Sequence, residues 1–277
     1  MNPDIRPMLL FSSVLEANAF MSHFLKGQEL IWSFAHHYGY SMMDKPFKLT
    51  CVVSGFTPEK ATKGLESALE RFSQTNVVIG LGVCSALIKT AMQGDICLAK
   101  RVQLENDKTY IIGDQKLRIL QESCEDNNIK VLQALYTCSQ HLQSSTEKAA
   151  VHVASQCDVY DTSSAAWVKV ALEQHKSCFV FKTVADNAQE IISPDFLASM
   201  DKFGHLRAGK VFLKRIFNPR LYKSLQKLNP KAMRQLLQPQ AQMVYNLLSG
   251  LQNQQHNTQQ ETVKRENPQL SLLDPAQ

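Results

Sequence analysis

Asp186 stands directly behind an apolar, β-rich run, Cys178-Phe179-Val180-Phe181-Lys182-Thr183-Val184, that reads as a buried strand. In an open α/β sheet, ligands bind and catalytic acids sit just past the carboxyl ends of strands. A carboxyl group shielded there by apolar neighbours takes a raised pKa, which suits it to donate a proton. Residues 158–166 repeat the arrangement one unit earlier: a strand end, then a polar loop with Asp161, Thr162 and Ser163 that opens a helix over 165–174. Glu16 falls just past another apolar run, residues 8–12. Polar loops on neighbouring strand ends make an active-site floor. Metal chemistry is not indicated, because the eight histidines are scattered and His36-His37 are adjacent rather than four apart.

The elements that must position these groups follow from the apolar pattern. Strands are expected over 8–12, 48–54, 77–82, 94–101, 131–136 and 178–184, with helices over 15–25, 58–72, 147–156 and 165–174. Thr57 is a natural N-cap for the second of these helices and Pro58 a natural first residue. Residues 104–126 are more polar and read as loop, short hairpin and helix. Strands alternating with helices, several apolar on both faces, imply a mixed, largely parallel sheet sandwiched by helices in a single α/β domain, residues 1–205. Beyond it, Asn218-Pro219, Asn229-Pro230 and Gln238-Pro239 each place a capping-type residue before a proline. They predict short helices over 206–217, 219–228, 230–237 and 239–251, a basic helical extension (206–251), and then a Gln/Asn-rich disordered tail, 252–277.

Length and composition set the frame. The 277 residues, 44% of them apolar, suit a globular chain with no run long enough for a transmembrane helix. Seven cysteines without a Cys-x-x-Cys pair, and no signal-peptide architecture, point to reduced thiols and a cytoplasmic protein. The net charge of +5 is unevenly placed: ten Lys or Arg and no acid lie between Lys202 and Gln260, so the rest of the chain carries −5.

Taken in order, the motifs resemble those of the purine nucleoside phosphorylase / methylthioadenosine–adenosylhomocysteine nucleosidase superfamily. Ser54-Gly55 resembles its Ser/Thr-Gly-x-Gly segment, and Gly82-Val83-Cys84-Ser85-Ala86-Leu87 with Gly94-Asp95-Ile96 its glycine-rich loop and following Gly-Asp-Val/Ile. Asp161-Thr162-Ser163-Ser164-Ala165-Ala166 sits where the family has Asp-Met-Glu-Ser/Gly-Ala-Ala, and Val184-Ala185-Asp186-Asn187-Ala188 matches its Ser-Asp-x-Ala loop. Ser139, the run Ser144-Ser145-Thr146-Glu147-Lys148-Ala149-Ala150 and residues 204–220 resemble the hopanoid-biosynthesis-associated branch. The resemblance implies a nucleosidase-type hydrolase that cleaves the N-glycosidic bond of an adenine-containing nucleoside, lipid-linked in that branch. No cofactor is implied, and a homo-oligomer is the default.

Carried over residue by residue, the resemblance makes Asp186 the acid to the purine and Glu16 the carboxylate that orients the attacking water. Ser54, Gly55, Gly82, Val83, Cys84, Thr162 and Ser163 become substrate contacts, and Ser139 lines the base pocket. The departures matter chemically. The glutamate that grips the ribose corresponds to Ser163, which can hydrogen-bond but brings no charge, and loss of such a partner costs about 10²–10³ in rate. Phosphorylase members carry an arginine where this chain has Gly80, so hydrolysis is favoured over phosphorolysis. The alternative is a catalytically degenerate member that serves as a nucleoside- or protein-binding module.

Two further features point outward. Apolar residues at three- and four-residue steps among the lysines and arginines of 206–237 suit an anionic membrane surface, hence a place peripheral to the inner membrane face, or else docking of the stripe on the core. Gln269-Leu270-Ser271-Leu272-Leu273 resembles the short peptide by which bacterial proteins bind the DNA polymerase sliding clamp.

Overall fold

The computed structural model describes residues 6–25, 30–44, 47–105, 108–112, 130–205, 207 and 219–266. The expected helix over 206–217, most of 104–126 and the clamp-like peptide lie outside them. Among the described residues, eleven strands form one mixed sheet: β1 (Pro7–Phe11), β2 (Ser33–Phe34), β3 (Gly39–Met43), β4 (Leu49–Val53), β5 (Val77–Gly80), β6 (Val83–Ala86), β7 (Ile96–Leu104), β8 (Thr109–Ile111), β9 (Val131–Thr137), β10 (Val159–Asp161) and β11 (Ser177–Asp186). Their order is β2-β3-β4-β1-β5-β11-β6-β10-β9-β7-β8. Six pairings are parallel and five antiparallel, so the sheet is mixed, with parallel pairings in the majority.

β11 organises the sheet. Its first half, Ser177 to Val180, lies parallel to β5, while Phe181 to Thr183 run antiparallel to β7 and Thr183 to Asp186 parallel to β6. The pairing with β7 makes β11, β6, β10, β9 and β7 join in a ring. Every residue of β1 is buried, as is every residue of β11 after Ser177, which explains why both read as unbroken apolar runs. Lys182 in its middle and Asp186 at its end are the ionisable residues of β11, and both are buried.

Four helices frame the site: α1 (Val14–Met21), α2 (Pro58–Arg71), α3 (Ser145–Ser155) and α4 (Ser164–Glu173). Ser13, Thr57 and Ser144 cap the first three, each hydroxyl accepting from the amide three residues on. Beyond β11 come α5 (Pro194–Ala198), α6 (Pro219–Leu228) and α7 (Pro230–Glu266). Two helices ending at Leu251 were expected where α7 runs unbroken to Glu266, with Pro239 inside it. Pro239 removes one backbone bond, but Met233, Leu237, Ala241, Val244 and Leu248, on both sides of it, are buried against the core, and that packing carries the helix through. In α6, Leu221 and Leu228 are buried, so its apolar stripe is spent on docking. No helix among the described residues is long and apolar enough to cross a membrane.

Candidate active site

Glu16 enters the site through helix capping. Ser13 Oγ accepts from the Glu16 amide at 3.2 Å and donates to Glu16 Oε2 at 3.0 Å, a reciprocal arrangement that fixes the side chain at the start of α1. Oε1 accepts from the Val83 amide at 2.9 Å. Gly82 makes the close approach feasible: its φ is +115°, and a Cβ there would lie 2.5 Å from Glu16 Oε1. Burial pushes the Glu16 carboxyl above its ordinary value, while Lys182 and the two hydrogen bonds pull the other way.

The Gly82 turn is also held from the C-terminal helix, a contact with no counterpart in the sequence reading. Gln240, fully buried on α7, donates to the carbonyls of Gly82 (3.0 Å) and Phe181 (3.1 Å) and accepts from the Gly82 amide (3.3 Å). A glutamine one residue after an in-helix proline reads as surface; only the inward spacing with Met233, Leu237 and Val244 could have exposed it.

Asp186 ends β11 and is 2% exposed. Oδ1 accepts from Ser85 Oγ at 2.5 Å and Oδ2 from Lys148 Nζ at 2.5 Å. Burial raises its carboxyl above the usual range, and Lys148 is the main opposing influence. Asp161 has a different task. It accepts from the Ser164 amide at 3.2 Å, Ser164 Oγ at 2.5 Å and Thr137 Oγ1 at 3.1 Å, and lies 3.2 Å from Lys182 Nζ. It therefore caps the start of α4 and neutralises a buried ammonium.

Two cavities meet these groups. The smaller, of about 80 Å³, is lined by Glu16, Val83, Cys84, Ser85, Thr162 and Ser163, with apolar walls from Leu15, Phe56, Phe196, Met200 and Met233. The larger, of about 510 Å³, is lined by Asp186, Gln143, Ser144, Ser145, Glu190 and Lys227. Ile192 and Leu228 line both. His141 also lines the smaller cavity; burial lowers its imidazole to about 4, and its buried Nδ1 has no hydrogen-bond partner.

Of the residues singled out in the sequence, Glu16, Val83, Cys84, Thr162 and Ser163 come together around the smaller cavity, with Gly82 in the turn behind it. Thr162 Oγ1 donates to the Phe56 carbonyl at 2.6 Å, and Ser163 Oγ lies 2.9 Å from Ser12 Oγ. Ser54 and Gly55 are not on the wall: Ser54 is buried and accepts from Trp167 Nε1 at 2.8 Å. Ser139 is also elsewhere, its amide and hydroxyl bound to the Glu105 carboxylate at 2.8 and 3.1 Å. No group of three His, Cys, Asp or Glu among the described residues could hold a metal ion.

The chain matches no protein-family model and no curated protein. Solved structures do match. The 5′-methylthioadenosine/S-adenosylhomocysteine nucleosidase from Helicobacter pylori, with butyl-thio-DADMe-Immucillin-A, aligns with a TM-score of 0.67 at 11% identity over 89% of this chain and 98% of that one. Futalosine hydrolase of Helicobacter pylori aligns with a TM-score of 0.65 at 12% identity, again over 89% and 98%. The fold is that of the nucleosidases. The S-adenosylhomocysteine nucleosidase from Streptococcus pyogenes, in complex with 5-methylthiotubericidin, extends the match at 0.64 and 13% identity, over 89% and 98%. At such identities the likeness is one of fold.

Glu16 supports a stability prediction. A carboxyl whose folded-state pKa lies above its unfolded value favours the fold below the unfolded pKa, and that contribution is lost as pH rises through the folded value. Glu16→Gln mimics the protonated form and can keep the Val83 and Ser13 hydrogen bonds. Its melting temperature is expected to exceed the wild type's at neutral pH and to converge with it at acidic pH; thermal unfolding across that range checks this.

Proposed function

We propose that this protein is an N-glycosyl hydrolase acting on an adenine-type nucleoside. The observation that carries the reading is the pair of buried carboxyl groups, Glu16 in the first turn of α1 just past β1 and Asp186 at the end of β11, two strands that both lie parallel to β5 between them, on cavities that share the wall Ile192 and Leu228. The ribose occupies the smaller cavity beside Glu16, Thr162 and Ser163, and the base reaches toward Asp186 in the larger. The smaller cavity is tight for a sugar, so the side chains of α5 and α6 on its wall move apart on binding.

The chemistry follows from the placement. Glu16 takes a proton from a water molecule whose oxygen adds to the anomeric carbon as the C–N bond breaks. The bonding pair leaves with the base, and a proton from Asp186 neutralises it. Hydrolysis is favoured over phosphorolysis because Gly80 has no room for an arginine: a Cβ there would meet the Trp167 ring at 2.7 Å. The apolar residues Leu15, Phe196, Met200 and Met233 suit an apolar substituent on the sugar, and a lipid-linked nucleoside of the hopanoid type is the extreme case.

A second reading rests on Ser163 and on the engagement of both Asp186 oxygens. It makes the chain a nucleoside-binding module without catalysis. Methylthioadenosine, adenosylhomocysteine and an adenosyl-lipid, assayed for both base release and rise in melting temperature, separate the two. Release favours the hydrolase; a raised melting temperature without release favours the binding module.

A further inference from the structure

We propose that Lys148 is the positioning residue of Asp186, orienting its carboxylate and governing its proton; the proposal rests on Asp186 being the acid of the hydrolase just described. Lys148 is fully buried on the inner face of α3. Its Nζ meets three acceptors: Asp186 Oδ2 at 2.5 Å, the Glu190 carbonyl at 2.7 Å and the Asn187 carbonyl at 3.0 Å. An ammonium group has three N–H donors, so this set satisfies it completely. Two of the bonds pin the loop that follows β11, and the third fixes one oxygen of the acid.

The surroundings define what Lys148 controls. Ser85 on β6 holds the other oxygen of Asp186, and Tyr160 on β10 lies with its ring 5.7 Å from Lys148 Nζ. Cys84 is buried beside β11, its thiol pushed far up by burial, so it contributes no charge. Glu190, in the loop, is paired with Lys227 of α6 at 2.5 Å. Lys148 is thus the cation in direct contact with Asp186 among the described residues. A buried carboxyl left alone would hold its proton far above neutral pH and be a poor donor; an adjacent ammonium brings it toward the range in which it can both carry and release one. In the sequence Lys148 stands in a run of Ser, Thr and Glu, and Ser155, one heptad on, is the other buried residue of α3.

The test is Lys148→Met, with the pH profile of base release as readout. The reaction needs Asp186 protonated, so activity is lost as pH rises past its pKa. Removing the cation raises that pKa, and the alkaline limb moves up by roughly one pH unit or more, with a lower plateau rate. A merely structural lysine would lower the plateau and leave the limb in place, which overturns the proposal. A second measurement needs no activity: the infrared carboxyl band of Asp186, isolated by subtracting the Asp186→Asn spectrum in each background. The band is expected to persist to higher pH in Lys148→Met, and an identical titration in both backgrounds overturns the proposal. If wild type releases no base from any nucleoside, the hydrolase reading fails, while the infrared titration still decides whether Lys148 governs the proton on Asp186.

Discussion

Asp186→Asn is expected to lower base release by about 10²–10⁴, the range that a positioned general acid contributes. The substitution keeps the shape of the side chain, and the asparagine carbonyl can still accept from Ser85. What it removes is the proton that leaves with the base. It also turns the amide or its carbonyl toward Lys148, which is fully buried and loses its counter-charge. Breaking a buried pair by removing one partner costs about 3–5 kcal/mol, so the single variant confounds catalysis with folding. The double variant Asp186→Asn, Lys148→Met resolves this: with both charges gone, stability is expected to recover toward wild type while base release stays at the level of Asp186→Asn. Recovery of activity together with stability would show that Asp186 is structural.

An equally large effect on stability is expected from Lys182→Met. Lys182 is fully buried in the middle of β11, 3.2 Å from Asp161 Oδ2, donating to the Leu81 carbonyl at 3.1 Å, with its ammonium 4.4 Å from the centre of the Trp167 ring. Methionine fills nearly the same volume, so little of the loss comes from a cavity. The cost arises because Asp161, 6% exposed, is left as an uncompensated buried charge that still caps α4. Destabilisation of about 3–5 kcal/mol is the expected result, read from denaturant unfolding. Replacing both partners, Lys182→Met with Asp161→Asn, should cost distinctly less than the sum of the single changes, because neither charge is then left buried without its partner.

The sequence carried the scaffold further than the site. β1, β4, β5, β11 and α2 are legible because burial on both faces leaves apolar runs and because Thr57-Pro58 marks a helix start. β3, with alternating exposure at an outer part of the sheet, and β6, read as a glycine-rich loop, were missed: neither has enough apolar length to stand out. Glu16 and Asp186 are legible from their place at strand ends. Their partners are not. Lys148 and Gln240 are polar residues whose burial no apolar run marks, and each is held by contacts with segments far away in the chain. Lys182 alone announced itself, as the one charge inside the run 178–184. Asp161 shows the reverse case: it carries a charge next to Ser163, where ribose chemistry needs one, but the charge is spent on Lys182 and on the amides of α4.

The central claim is tested most directly by incubating the purified protein with adenine-type nucleosides in phosphate-free buffer and following both products by chromatography. The account predicts free adenine together with the free sugar, at a rate unaffected by added phosphate. If no nucleoside releases adenine, even though ligands raise the melting temperature, the catalytic account is wrong and the site is one for binding alone.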